Sequence, residues 1–162
     1  MIFSISRKLA SIAYNSGNYL IARNILVPLS HLRRNRLWAL NLLTRLCYNI
    51  DEYDACLQHI TKIETDFVTD ENLLFLKARS KYSLGLLEDA EKILETLDGN
   101  QVSIGNLIFL KERISCRRGK YIESINYCAE LMLIGASETE LVNRFELIAS
   151  KGNLWLLVFE TV

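Results

Sequence analysis

Three arginines recur at a fixed interval of 34 residues, at Arg45, Arg79 and Arg113. Tyrosines recur at the same interval, at positions 14, 48 and 82. Arginine and tyrosine are the side chains most often found as hot spots of protein binding. Arginines interleaved with tyrosines at this spacing would suit an extended or helical segment that carries acidic groups.

The cysteines and histidines lack the spacing that catalysis or metal binding would need. The cysteines show no CxxC pair and no paired histidine; they are Cys47, Cys56, Cys116 and Cys128. The histidines, His31 and His59, have no partner at metal or catalytic spacing, and phosphate-binding loops and hydrolase motifs are missing. We therefore expect buried structural thiols, no enzyme activity, no metal and no cofactor.

The arginines belong to a repeated unit of the sequence. One turn residue recurs every 34 positions, at Gly17, Asp51, Gly85, Gly119 and Asn153. A bulky residue follows two positions later, at Tyr19, Tyr53, Leu87, Tyr121 and Trp155. In four copies a small residue stands three positions further on, at Ala22, Cys56, Ala90 and Ser124. Such a period predicts stacked helical hairpins.

Apolar residues repeat in the same phase. One apolar column is Leu40, Leu74, Ile108 and Val142; a second is Leu26, Ile60, Leu94 and Cys128; a third is Leu29, Ile63, Leu97 and Leu131. Apolar residues three and four apart predict helices, and no stretch alternates as a strand does. We predict ten helices, near 3–15, 18–30, 36–49, 52–65, 71–83, 86–98, 104–117, 120–134, 138–150 and 153–162.

The sequence resembles the tetratricopeptide repeat family, whose turn motif G-x-Y-x-x-A is matched in full by residues 17–22. The proline that the family places between repeats is absent, and Pro28 lies inside a second helix. The resemblance implies an all-α, right-handed superhelical solenoid of about five helix-turn-helix repeats. It also implies one domain over 1–162, with repeats near 3–34, 35–68, 69–102, 103–136 and 137–162.

In this family the first helix of each hairpin lines a concave groove that binds proteins. The positions that the resemblance assigns to the groove are Arg7, Ser11, Tyr14, Asn41, Arg45, Tyr48, Asn49, Phe75, Arg79, Tyr82, Phe109, Arg113 and Arg117. Two other interpretations remain open. Arg79 and Arg113 could pair with acids on adjacent helices, and the tyrosines could pack between hairpins. The carboxylate clamp of chaperone co-factors in this family is disfavoured, since only Arg7 and Asn72 fit it.

Charge is unevenly distributed along a chain of zero net charge. Residues 1–50 contain seven basic residues and no acid, whereas residues 51–100 contain twelve acids and five bases. This polarity could reflect chance scatter or complementarity between neighbouring copies. We do not favour nucleic acid or a membrane as partner. Neither a secretion signal nor a mitochondrial presequence is favoured, and unpaired cysteines indicate an intracellular, nuclear or cytoplasmic protein.

A finer resemblance is to the amino-terminal repeats of the cell-division-cycle subunits of the anaphase-promoting complex. It is carried by Leu46-Cys47-Tyr48, late in a first helix, and by the leucine-rich second helix that begins at Ala90. It implies a homodimerising scaffold in a ubiquitin ligase that also contacts other subunits of the complex. The alternative is a monomeric adaptor that binds an acidic peptide in its groove. An RNA-binding protein that uses the basic first third is less favoured.

Overall fold

The computed structural model of the chain describes residues 2–152, with side chains from Ser4 onward. Regular structure in this range is entirely α-helical, without a strand between residues 2 and 152. The helices are α1 (Ile2–Asn15), α2 (Tyr19–Ser30), α3 (Arg36–Asn49), α4 (Tyr53–Asp66), α5 (Glu71–Ser83), α6 (Leu87–Glu95), α7 (Ile104–Arg117), α8 (Tyr121–Leu133) and α9 (Glu138–Gly152). The all-α prediction is confirmed over the described residues.

Most helix ends lie within one residue of the predicted positions. Helix α6 was predicted to reach residue 98 but ends at Glu95, because the amides of Thr96 and Leu97 bond to carbonyls only three residues back. Helix α2 continues to Ser30, two residues past Pro28. The tenth predicted helix, 153–162, lies outside the described residues.

The repeated turn residues adopt the left-handed backbone conformation. Their φ angles are 75° at Gly17, 61° at Asp51, 79° at Gly85 and 75° at Gly119. At Gly17 the amide bonds to the carbonyl of Tyr14, and the next amide bonds back to Ala13. The same pair of bonds occurs at Asp51 and Gly119. Two amides thereby satisfy the last carbonyls of a helix, so the repeated turn residue marks the end of the first helix in these three hairpins.

The chain divides into two compact units, Met1–Leu84 and Gly85–Val162. Unit 1 contains α1 to α5, each packed against the next. One buried cluster joins α1, α2 and α3 around Ala10, Leu26 and Leu43, and another joins α3, α4 and α5 around Cys47 and Ile60. These clusters hold α1, α3 and α5 in fixed positions, and those helices carry most of the predicted binding residues.

Unit 2 contains α6 to α9, again with consecutive helices in contact. Its buried cluster includes Cys116 of α7, Cys128 and Leu131 of α8, and Ile148 of α9. No helix between residues 2 and 152 combines the length and the apolar character that crossing a bilayer requires.

Burial follows the period of the sequence. The four small residues after the turns are fully buried, and every member of the second and third apolar columns is buried as well. Because these side chains are small, the helices of the hairpins within each unit, α1 with α2, α3 with α4 and α7 with α8, can pack closely. The first column differs, since Leu40 is buried, Leu74 and Ile108 are half-buried, and Val142 is 47% exposed.

Candidate protein-binding surface

Most of the predicted binding residues of unit 1 lie around one depression. Its volume is about 310 Å³, and we call it the arginine depression. Helices α1, α3 and α5 supply its lining, which consists of Tyr14, Arg45, Tyr48, Asn49, Asn72, Phe75, Leu76 and Arg79. The sequence interval that brings these residues together is the 34-residue repeat, because it places equivalent positions on successive first helices.

Aromatic rings support the guanidinium group of Arg79. Its central carbon lies 4.7 Å from the ring centroid of Tyr48 and 5.9 Å from that of Phe75. Stacking of this kind is attractive because the ring face is electron-rich, and it leaves the edge of the guanidinium free to donate hydrogen bonds. Arg79 is therefore oriented by α3 and its own helix while remaining exposed.

The tyrosines pack within hairpins as well as line the depression. Tyr14 meets Tyr19 edge to face at 5.8 Å, and Tyr48 meets Tyr53 in the same way at 5.5 Å. Asn49 donates a hydrogen bond of 3.0 Å to the hydroxyl of Tyr14. These ring contacts lie within single hairpins, whereas the hydrogen bond of Asn49 joins two hairpins, and both half-buried rings of Tyr14 and Tyr48 still line the depression.

The arginines that recur every 34 residues, two in unit 1 and one in unit 2, make no ion pair within the described residues. Between residues 4 and 152, no carboxylate lies within ion-pair distance of Arg45, Arg79 or Arg113. Other cations of the chain do find acids, as Arg36 does with Asp66 at 2.7 Å and Lys77 with Glu64 at 2.6 Å. The structure therefore does not show the alternative in which Arg79 and Arg113 pair with acids on adjacent helices.

The other predicted residues of unit 1 lie apart from the arginine depression. Arg7 and Ser11 line a second depression, between α1 and the start of α3. Asn41 donates to the carbonyl of Leu37 in its own helix at 3.0 Å, and Tyr82 is half-buried on α5. The repeat predicted which helices carry these residues, but it did not separate the two depressions.

In unit 2 the predicted residues all lie on α7. The guanidinium of Arg113 lies 4.7 Å above the ring of Phe109, which repeats the arginine–aromatic stacking seen in unit 1. Arg117 is exposed in the last turn of the helix.

The cysteines are buried, as predicted. Burial raises the pKa of Cys56 and that of Cys128 to about 11, so that their thiolates are scarce at neutral pH. His31 is exposed, whereas burial, followed by the charges of Lys62 and Arg23, lowers the pKa of His59. Across residues 2–152, no three His, Cys, Asp or Glu side chains are grouped as metal ligands would be.

Two features were missed at the level of sequence. One is that Trp38 and Asn35 line the second depression together with Arg7. The other is an ion pair between Glu112 of α7, which is buried, and Arg144 of α9, which is half-buried, with a distance of 2.5 Å from Nη2 to Oε1. The available signal for the ion pair was the change from Ala78 to Glu112 between two otherwise similar repeats.

Compared with known proteins, the sequence matches no protein-family model and no curated protein at a significant level.

Proposed function

We propose that the chain is a non-catalytic protein-interaction module built as a right-handed solenoid of about five tetratricopeptide repeats. Support comes from the left-handed turn residues and buried columns, which recur every 34 residues. A solenoid of this kind offers an extended surface to its partners rather than a closed active site. An intracellular location, in the nucleus or cytoplasm, belongs to the same proposal and is supported by four buried free thiols.

The partner that fits best is an acidic segment of another protein, bound at the arginine depression. The observation that carries this proposal is the pair of exposed arginines, Arg45 and Arg79, which line one depression without a carboxylate partner in residues 4–152. Carboxylates of a bound segment would neutralise both charges. The neighbouring rings of Tyr48 and Phe75 would cover its apolar parts.

Charge reversal at the depression tests this function. In a library of labelled peptides that alternate acidic and random residues, we expect the Arg45→Glu/Arg79→Glu variant to bind at least about tenfold more weakly, because attraction becomes repulsion. Fluorescence anisotropy gives the dissociation constant. The matched control is Arg33→Glu/Lys62→Glu, since both residues are exposed cations of unit 1 outside the depression. Equal losses in the two variants, or no binding by the parent chain, would reject the proposal.

A second candidate is a homodimerising scaffold subunit, in its finer form a subunit of the anaphase-promoting complex. The observation in its favour is a row of exposed apolar side chains on α1, in which Ile5 is 53%, Leu9 52% and Ile12 64% exposed. Residues four and three positions apart share one helix face, so these three form a stripe that a second copy could cover.

Light scattering at micromolar concentration tests the second candidate. We expect a dimeric mass for the parent chain and a monomeric mass for Leu9→Glu/Ile12→Glu. The two glutamate carboxylates would have to lose their water at the dimer interface, and burying an unpaired charge is unfavourable. Val68→Glu is the matched control, since Val68 is 96% exposed and lies outside a helix. A monomeric parent chain would exclude self-association at this concentration.

A further inference from the structure

The second depression of unit 1 has the composition of an anion site. It measures about 650 Å³ and lies between α1 and the beginning of α3. The side chains that matter are Arg7, Lys8 and Ser11 of α1, together with Arg34, Asn35 and Trp38. Every polar group among them can donate a hydrogen bond, and three of them are cations.

The three cations have no counter-charge of their own. Residues 1–50 contain neither Asp nor Glu. No carboxylate of residues 4–152 lies within ion-pair distance of Arg7, Lys8 or Arg34, although the adjacent Arg36 reaches Asp66. Three like charges around one depression repel one another, so an anion bound there would be stabilised by all of them.

Asn35 gives a second and independent sign of a ligand. Its side chain lines the depression, yet the residue is only 4% exposed. It precedes α3 but makes no capping hydrogen bond, and no partner for its side-chain amide occurs in residues 4–152. Its amide atoms are not sealed from water but open onto the depression, where a ligand oxygen could accept a hydrogen bond from the amide.

Trp38 fixes one of the cations in place. The guanidinium of Arg7 lies 4.7 Å from the centroid of the Trp38 ring. Because the ring occupies one face of the guanidinium, the N–H groups at its edge remain available to the depression. Arg7 is therefore oriented before any ligand binds.

The two depressions lie along the same pair of helices. Arg7 and Tyr14 are seven residues apart on α1, and Trp38 and Arg45 are seven residues apart on α3. Two helical turns return to the same face after about 10 Å. An extended peptide covers that distance in about three residues.

We infer that the second depression binds a phosphoryl group carried by the acidic segment, about three residues from the carboxylate held at the arginine depression. This inference rests on the proposed function. A phosphorylated side chain carries a charge of about −1.5 to −2 and three acceptor oxygens, whereas a carboxylate carries one charge and two oxygens. Three cations and a buried amide match the phosphoryl group better. A nucleic acid fits less well because residues 51–100, with twelve acids and five bases, would repel a longer polyanion.

The experiment compares three labelled peptide libraries that differ at one fixed position, occupied by phosphoserine, glutamate or serine. An acidic residue stands three positions away in each library. For the parent chain we expect the phosphoserine library to bind at least about tenfold more tightly than the glutamate library. Arg34→Ala should remove that gain, while Arg33→Ala should preserve it, since Arg33 is also exposed but does not line the depression. Circular dichroism verifies that both variants fold.

The possible outcomes distinguish failure of the phosphoryl site from failure of the proposed function. If the acidic libraries bind through Arg45 and Arg79 but phosphoserine adds nothing, the phosphoryl site is wrong and the proposed function stands. If no library binds, both are wrong. If Arg33→Ala and Arg34→Ala weaken binding equally, or if a single-stranded oligouridylate binds more tightly than the phosphoserine library, the depression is not a phosphopeptide site.

Discussion

Replacing Glu112 by alanine is expected to lower the free energy of unfolding by about 3 kcal/mol, the largest loss we foresee for a single polar substitution. The reason lies in the charge that remains. Glu112 is 1% exposed and binds Arg144 on α9, whose side chain is only 21% exposed. Without Glu112, the guanidinium would stay in a mostly dry environment with no carboxylate beside it.

Hydrogen bonds add to this ion pair. Ser124 of α8 donates to Oε1 of Glu112 at 2.9 Å, so that Glu112 links α7 with both α8 and α9. Burial alone would lower the pKa of Arg144, but the hydrogen bond and the negative charge of Glu112 outweigh it and hold that pKa above its usual value. The interaction therefore stabilises the charged form of Arg144 in the folded state.

A second substitution should reverse the loss. One repeat earlier, the positions of Glu112 and Arg144 are occupied by Ala78 and Leu110. The Glu112→Ala/Arg144→Leu variant restores that apolar arrangement, and we expect its stability to lie within about 1 kcal/mol of the parent chain. Urea unfolding followed by circular dichroism measures the parent chain and both variants.

Glu91→Ala is the matched control for the ion pair. Glu91 binds Arg118 and Lys120 in the same unit, but its side chain is 25% exposed, and we expect a loss below about 1 kcal/mol. A loss for Glu112→Ala no larger than that of the control would contradict the argument. So would a double variant as unstable as the single one.

The sequence predicted the helices because their ends depend on local chemistry. A turn residue with positive φ, an apolar face and a small buried residue recur every 34 residues between Gly17 and Ser124, and each acts within a few residues of its own position. Local signals failed where a partner lies far along the chain. Glu112 stands where the preceding repeat has Ala78, and its partner Arg144 lies 32 residues later. A pattern within one repeat carries no information about that pairing.

The binding surface was predictable only in part for the same reason. The repeat placed Arg45 and Arg79 on equivalent positions of successive first helices, which is why they line one depression. It could not indicate that Arg79 stacks on Tyr48 or that Arg7 stacks on Trp38, because side-chain rotamers decide those contacts. Asn35 gave no signal in the sequence, since an asparagine before a helix is ordinarily a capping residue.

Replacing a buried leucine by alanine should lower the free energy of unfolding about as much as removing Glu112 does. Leu26 of α2 is fully buried in the cluster that joins α1, α2 and α3. The Leu26→Ala substitution removes its packing and leaves a cavity, so we expect a loss of about 2–5 kcal/mol in urea unfolding.

Leu20→Ala is the control, since the same substitution is made in the same helix at a side chain that is 72% exposed. For an isolated copy we expect a change within about 0.5 kcal/mol, because little apolar area is lost and alanine is a good helix former. If both substitutions lowered the free energy of unfolding equally in a monomeric sample, the placement of Leu26 in the buried core would be wrong. A loss at Leu20 that appears only at concentrations where light scattering detects a dimer has a different meaning, namely that a second copy covers Leu20.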